Sequence, residues 1–177
     1  MGVALTMGLS KLVEETAKSS QWMNSSEMVE KLVTELAKTF QVKPHEVAIL
    51  HVTHGGSVLS FIYPFKLQKV GSVPMSSTAS LAVRTVREKR PEMVNNFPAQ
   101  KHATVFEAVD LSAETKGSPI QKIMSAPLIS EGKAVGVIQV SRKGKTGPAA
   151  GPDFAIKDLT TLMTTAGILA KLFRAPK

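Results

Sequence analysis

Two apolar runs near the end of the chain, residues 123–129 and 134–141, are separated only by Ser130-Glu131-Gly132-Lys133. Runs of this length around a glycine-containing turn read as a β-hairpin. The later run has apolar residues on both of its faces, so both faces need cover and the strand belongs in the interior of a sheet. Pro127 lies in the earlier run, and a residue without an N–H is confined to an edge or a bulge. A loop rich in Gly, Pro and Lys follows over residues 142–153. Asp153 then stands where it can cap a closing helix, on which Phe154, Leu159, Leu162, Met163, Ala166, Leu169, Ala170 and Phe173 recur at helical spacing. A central hairpin strand with an amphipathic helix behind it sets the class as sheet plus helices.

The upstream chain fits that class. Leu5, Leu9, Leu12, Val13 and Thr16 form one helical stripe, broken at Ser19-Ser20-Gln21. A second helix is expected with Asn24 as its cap, Glu27 at the capping-box position and Val29, Leu32, Val33, Leu36 and Phe40 as its buried face. Residues 47–53 and 57–63 read as a first hairpin around Gly55-Gly56, with Ala48, Leu50 and Val52 on one face and Val47 and Ile49 on the other. Residues 76–90 place a Ser/Thr cluster before a short helix bearing Leu81, Ala82, Thr85 and Val86. Residues 93–118 are irregular, with turn chemistry at Asn95-Asn96-Phe97-Pro98. This order predicts an α+β domain with a central, mainly antiparallel β-sheet flanked by helices.

A length of 177 residues suits one hydrophobic core. No apolar run approaches the ~20 residues of a bilayer-spanning helix, and no signal-type start is present, so a cytoplasmic protein with no membrane partner is expected. The opening Met1-Gly2 with Thr6 meets only the loose myristoylation pattern, which chance supplies. The absence of cysteine excludes disulfides, thiolate metal sites and cysteine nucleophiles. A net charge of +8 favours anionic partners, but no nucleic-acid-binding signature accompanies it and aromatics are 5% of the chain, which argues against nucleic acid.

Ser125-Ala126-Pro127-Leu128-Ile129, Gly132, Gly136-Val137-Ile138-Gln139-Val140, Phe154 and Asp158-Leu159 together resemble the closing half of GAF domains. Ser80-Leu81-Ala82 is similar to the family's Ser-led short helix. The resemblance covers residues 24–173, so residues 1–23 are read as an N-terminal amphipathic helix and linker, and 24–177 as the GAF-like domain. It implies a GAF/PAS-like architecture, with N- and C-terminal helices on one face of the sheet and a ligand pocket on the other, and dimerisation through the terminal helices. The stripe on the first helix serves either that dimer or its own sheet.

The family's methionine sulfoxide reductases and its bilin-attaching members both depend on cysteine, so neither that activity nor a cysteine-linked chromophore is expected. The cofactor stays unassigned and no enzymatic role is expected. Cyclic-nucleotide-binding members carry an Asn-Lys pair, a Phe and an Asp-Glu pair. The corresponding Arg142-Lys143, Phe154 and Asp158-Leu159 keep half of that motif, which supports a cyclic nucleotide only weakly.

Gly144-Lys145-Thr146 is not a phosphate loop, because Gln139 stands where glycine is required and Gly147-Pro148 follows instead of a helix. No Gly-x-Ser-x-Gly elbow is present. His51 and His54 fall on opposite faces of a strand and His45 lies ~20 Å from His51, which argues against a metal site. The candidate ligand-binding residues are Ser77 and Thr78 at the start of the short helix, Asn95, Asn96 and Phe97 where the family places pocket residues, and His102 in the irregular segment. Each has a plainer reading as a cap, a turn or an exposed loop residue. The leading expectation is a homodimeric sensor that binds a small polar or anionic ligand; the alternative is a degenerate module serving as an interaction platform, its pocket filled by Met93, Phe97 and Phe106.

Overall fold

The computed structural model describes residues 2–100 and 118–173, with backbone alone over 2–6. Helices α1 (Gly2–Thr16) and α2 (Ser26–Phe40) precede the hairpin β1 (Val47–Thr53) and β2 (Val58–Tyr63). The short helix α3 (Phe65–Gln68), β3 (Val73–Pro74), α4 (Leu81–Glu88) and β4 (Glu92–Val94) come next. The hairpin β5 (Ile120–Ser130) and β6 (Lys133–Lys143) leads through α5 (Gly147–Ala150) to α6 (Ile156–Leu169).

The strands form one six-stranded sheet in the order β3-β2-β1-β6-β5-β4, with every neighbouring pair antiparallel. β6 is central, as its two apolar faces require. Its turn to β5 is a two-residue loop in which Glu131 and Gly132 both have positive φ, 51° and 78°. That backbone matches the right-handed twist of the strands it joins. Pro127 pairs with Val137 of β6 on one side, while β4 pairs with β5 only from Ile123 to Ser125. The proline thus lies beyond the end of β4, where no ladder needs its missing donor. Gly136 is required for another reason, since a Cβ there would collide with the Leu50 carbonyl oxygen on β1.

One face of the sheet carries the larger core, in which Leu9 and Val13 of α1, Leu32 and Leu36 of α2, and Leu162 and Leu169 of α6 pack on Val47, Ile49, Met124, Ile138 and Val140. Of the α1 stripe, Leu9, Val13 and Thr16 are buried within the chain itself and nearly inaccessible, and Leu12 is half-buried. On the opposite face, Leu50, Leu59, Phe61 and Val137 meet Ala82, Val83 and Val86 of α4.

Two helix starts differ from expectation. The N-cap of α2 is Ser25, whose hydroxyl accepts from Met28 N–H, and Asn24 instead donates to Gln21. α6 begins after Ala155, whose N–H is met by the Asp158 carboxylate at 2.7 Å. Asp153 is drawn away by the nearly buried Lys122 ammonium, 2.8 Å distant.

Candidate functional site

A cavity of about 130 Å³ lies on the sheet face opposite α1, α2 and α6. Its floor comes from alternate residues of the two central strands, Ala48 and Leu50 on β1 and Gln139 and Ser141 on β6. The start of α4, with Ala79, Ser80, Leu81 and Ala82, forms one wall; Phe61, Leu67, Val73, Phe97, Ile120 and Ile123 supply more of a mostly apolar lining. The period of two along β6 explains the arrangement. Ile138 and Val140 enter the helix-side core, so Gln139 and Ser141 face the other way.

Four polar residues within this apolar setting are held by defined bonds. The Glu46 carboxylate accepts from the main-chain N–H of Lys43 at 2.9 Å and of Lys143 at 2.7 Å. The Ser141 hydroxyl donates to the Glu46 carbonyl at 3.2 Å. Ser80 caps α4, its oxygen accepting from Val83 N–H at 3.2 Å. Gln139 donates through Nε2 to Ser125 Oγ at 3.1 Å, and Ser125 lies 2.7 Å from Thr85 Oγ1, which in turn donates to the Leu81 carbonyl at 2.8 Å.

This buried chain has one consistent direction. A carbonyl only accepts, so Thr85 spends its proton on Leu81, Ser125 must donate to Thr85, and Gln139 must donate to Ser125. The Gln139 amide group is thereby oriented, its NH2 turned toward Ser125 and its carbonyl oxygen left without a partner among the described residues.

The sequence-predicted site residues are only partly assembled around this cavity. Phe97 is buried and lines it. Ser77 accepts from Ala79 N–H and Thr78 is exposed; neither borders the cavity, which begins with the next two residues. Asn95 points away, its amide bonded to the main chain of Phe154, and Asn96 is exposed. His102 lies outside the described residues. Gln139, Ser141 and Glu46 were not among the site residues expected from the sequence, although two polar residues among the apolar ones of the central strand were the available signal.

Positions matching the cyclic-nucleotide motif are occupied structurally. The Arg142 guanidinium stacks on the Phe154 ring, 4.3 Å from its centroid, and donates to the carbonyls of Phe40 and Pro152. Phe154 is in the core and Asp158 caps α6.

A second, wider concavity of about 960 Å³ lies near the tips of both hairpins, and Lys18, His51, His54, Lys133 and Lys171 border it. Lys18 and Lys171 follow the C-terminal ends of α1 and α6, where cations complement the partial negative charge of the helix. Burial pushes the His51 pKa below its ordinary range. Among the described residues no group of three or more His, Asp or Glu is placed to hold a metal, and no helix is long and apolar enough to cross a membrane.

The family model described as "GAF domain" matches residues 23–173. A GAF domain from an Acinetobacter phosphoenolpyruvate-protein phosphotransferase superposes with a TM-score of 0.60 at 15% identity, over 90% of this chain and 91% of that one. The A. aeolicus nlh2 GAF domain in an inactive state gives 0.58 at 15% identity over 95% and 96%. A free methionine-R-sulfoxide reductase from Neisseria meningitidis, solved with its substrate, gives 0.59 at 15% identity over 97% and 89%. No curated protein was matched.

Proposed function

Because the chain belongs to the GAF domain family, we propose that it is a regulatory or sensory domain that holds a small molecule in the cavity beneath α4 and transmits occupancy to its terminal helices as a homodimer. The observation that carries this reading is the connection between cavity and helix. Phe97 forms cavity wall; Asn95, two residues earlier, is hydrogen-bonded to the main chain of Phe154, which leads into α6. A ligand that displaces Phe97 pulls on the start of α6 through one short segment.

Binding without turnover is favoured because the chain has no cysteine to serve as a nucleophile. Size argues against a cyclic nucleotide: an apolar cavity of about 150 Å³ admits one benzene ring, and pockets for drug-sized ligands begin near 300 Å³. The dimer is supported by the outer side of α6, where Ile156 is 73% and Met163 51% exposed, with Thr160, Thr164 and Gly167 also exposed.

The alternative platform reading requires a cavity filled by the chain's own side chains. Phe97 contributes to the wall, but Met93 packs against the opposite core, and Phe106 lies outside the described residues. Native mass spectrometry of the purified protein, followed by thermal melting with nucleotides, inorganic anions and amino acids, distinguishes the readings. A co-purifying small molecule or a ligand-dependent rise in Tm is expected; a bare protein indifferent to the whole set would favour the platform.

A further inference from the structure

We propose that the cavity selects a neutral ligand of about one ring, carrying an amide-like edge in which an N–H donor adjoins a carbonyl acceptor. The inference rests on the reading of the cavity as the ligand site. It follows from counting what the polar residues of the lining still offer after their own bonds are made.

Gln139 has its carbonyl oxygen and one N–H left, because the Ser125–Thr85–Leu81 chain takes the other N–H and fixes the orientation of the amide. Ser141 has donated its proton to the Glu46 carbonyl and retains acceptor capacity. Ser80 accepts from Val83 and retains its hydroxyl proton. Among Gln139, Ser141 and Ser80 the remaining set is two acceptors and two donors, all uncharged; the charged acceptor of the lining is Glu46, whose two carboxylate oxygens each already take a main-chain N–H. Gln139 and Ser141 are alternate residues of β6, roughly 7 Å apart, so both reach one edge of a single ring.

An anion fits this set poorly. The Gln139 carbonyl and Ser141 oxygen would face it with lone pairs, and the Glu46 carboxylate borders the same space. The basic lining residues His45 and Lys143 each have an interaction of their own. The rest of the lining is Leu, Val, Ile, Phe, Ala and Pro, which favours an apolar body. Volume sets the size, since about 130 Å³ is close to the space that admits benzene, ~150 Å³.

Ligand-observed NMR with four small probes tests the inference: 2-piperidone, cyclohexanone, cyclopentanecarboxylate and toluene. The first two differ only in the N–H. The expected result is 2-piperidone binding about fivefold or more tightly than cyclohexanone, the value of one hydrogen bond of ~1 kcal/mol, with the carboxylate weakest. Gln139→Met is expected to bring 2-piperidone down to the level of cyclohexanone while toluene binding is retained. Should that variant fail to fold, the wild-type probe series decides alone. Equal binding of 2-piperidone and cyclohexanone, or tightest binding of the carboxylate, overturns the proposal. If no probe binds but a charged or larger molecule co-purifies, the ligand class is wrong and the binding site stands. If no probe binds and nothing co-purifies, the cavity is not a ligand site and both readings fall.

Discussion

The side-chain amide of Asn95 closes a two-bond ring with the main chain of Phe154, accepting from its N–H at 2.8 Å and donating to its carbonyl at 3.0 Å across 59 residues. The geometry imitates a strand pairing at a place where no strand exists. It ties the end of β4 to the run before α6, which Lys122 and Arg142 also hold through the carbonyls of Gly151 and Pro152.

Asn95→Ala removes both bonds and leaves two main-chain groups without their partner. A loss of about 1–3 kcal/mol in urea unfolding is expected. Asn95→Asp keeps the acceptor and loses the donor, so an intermediate loss is expected. If the segment relays occupancy, ligand-induced changes in hydrogen exchange over residues 154–160 should weaken in both variants.

Gly136→Ala tests the close approach of β6 to β1. The new methyl meets the Leu50 carbonyl oxygen, a backbone atom that cannot rotate aside. A destabilisation of about 1–3 kcal/mol is expected from such overpacking, measured as a lower denaturant midpoint with an unchanged m-value.

Acid sensitivity should have a component from His51, whose pKa burial lowers from the ordinary 6.5. The unfolded chain then binds the proton more readily than the folded one. Stability from this source is complete above about pH 6.5 and is lost as pH falls through the folded value. His51→Gln is expected to flatten the urea midpoint between pH 7.5 and 5.5; an unchanged slope would remove His51 from the account.

Arg84 and Glu92 form a two-bond ion pair at 2.6 and 2.8 Å, and the hydrogen bond from Arg84 holds the Glu92 carboxyl below its usual value of 4.5. This stabilisation is present above about pH 4.5 and is lost as pH falls further. Both side chains are partly exposed, so a double-mutant cycle with Arg84→Met and Glu92→Gln is expected to give a coupling of about 1 kcal/mol or less, reduced by salt.

On α6, Met163→Lys places a charge on the proposed dimer face without entering the core. Analytical ultracentrifugation is expected to show a dimer for the wild type and a shift toward monomer for the variant, with an unchanged melting profile at low protein concentration. A monomeric wild type would remove the dimer from the proposed function.

Much of the sheet was legible because its signals are local. Ala48 and Leu50 against Val47 and Ile49 identified a strand covered on both faces, and Glu131-Gly132 marked the central turn. The errors arose where a distant partner outbid a neighbour. Asp153 looks like a cap in isolation, yet Lys122 claims it; Asn95 looks like a turn residue or ligand contact until Phe154 lies beside it. The role of Gln139 depends on Ser125 and Thr85, residues of two other elements that no spacing rule connects to it.

The antiparallel pairing of β1 with β6 joins residues 47–51 to residues 136–140. The middle of the sheet therefore cannot assemble on a ribosome until the second hairpin has emerged, and such distant pairings fold slowly. Until then Val47 and Ile49 lack their neighbour, and the growing chain exposes the apolar surface that chaperones recognise. Splitting the gene anywhere between these strands should yield halves that are insoluble apart and fold only when expressed together.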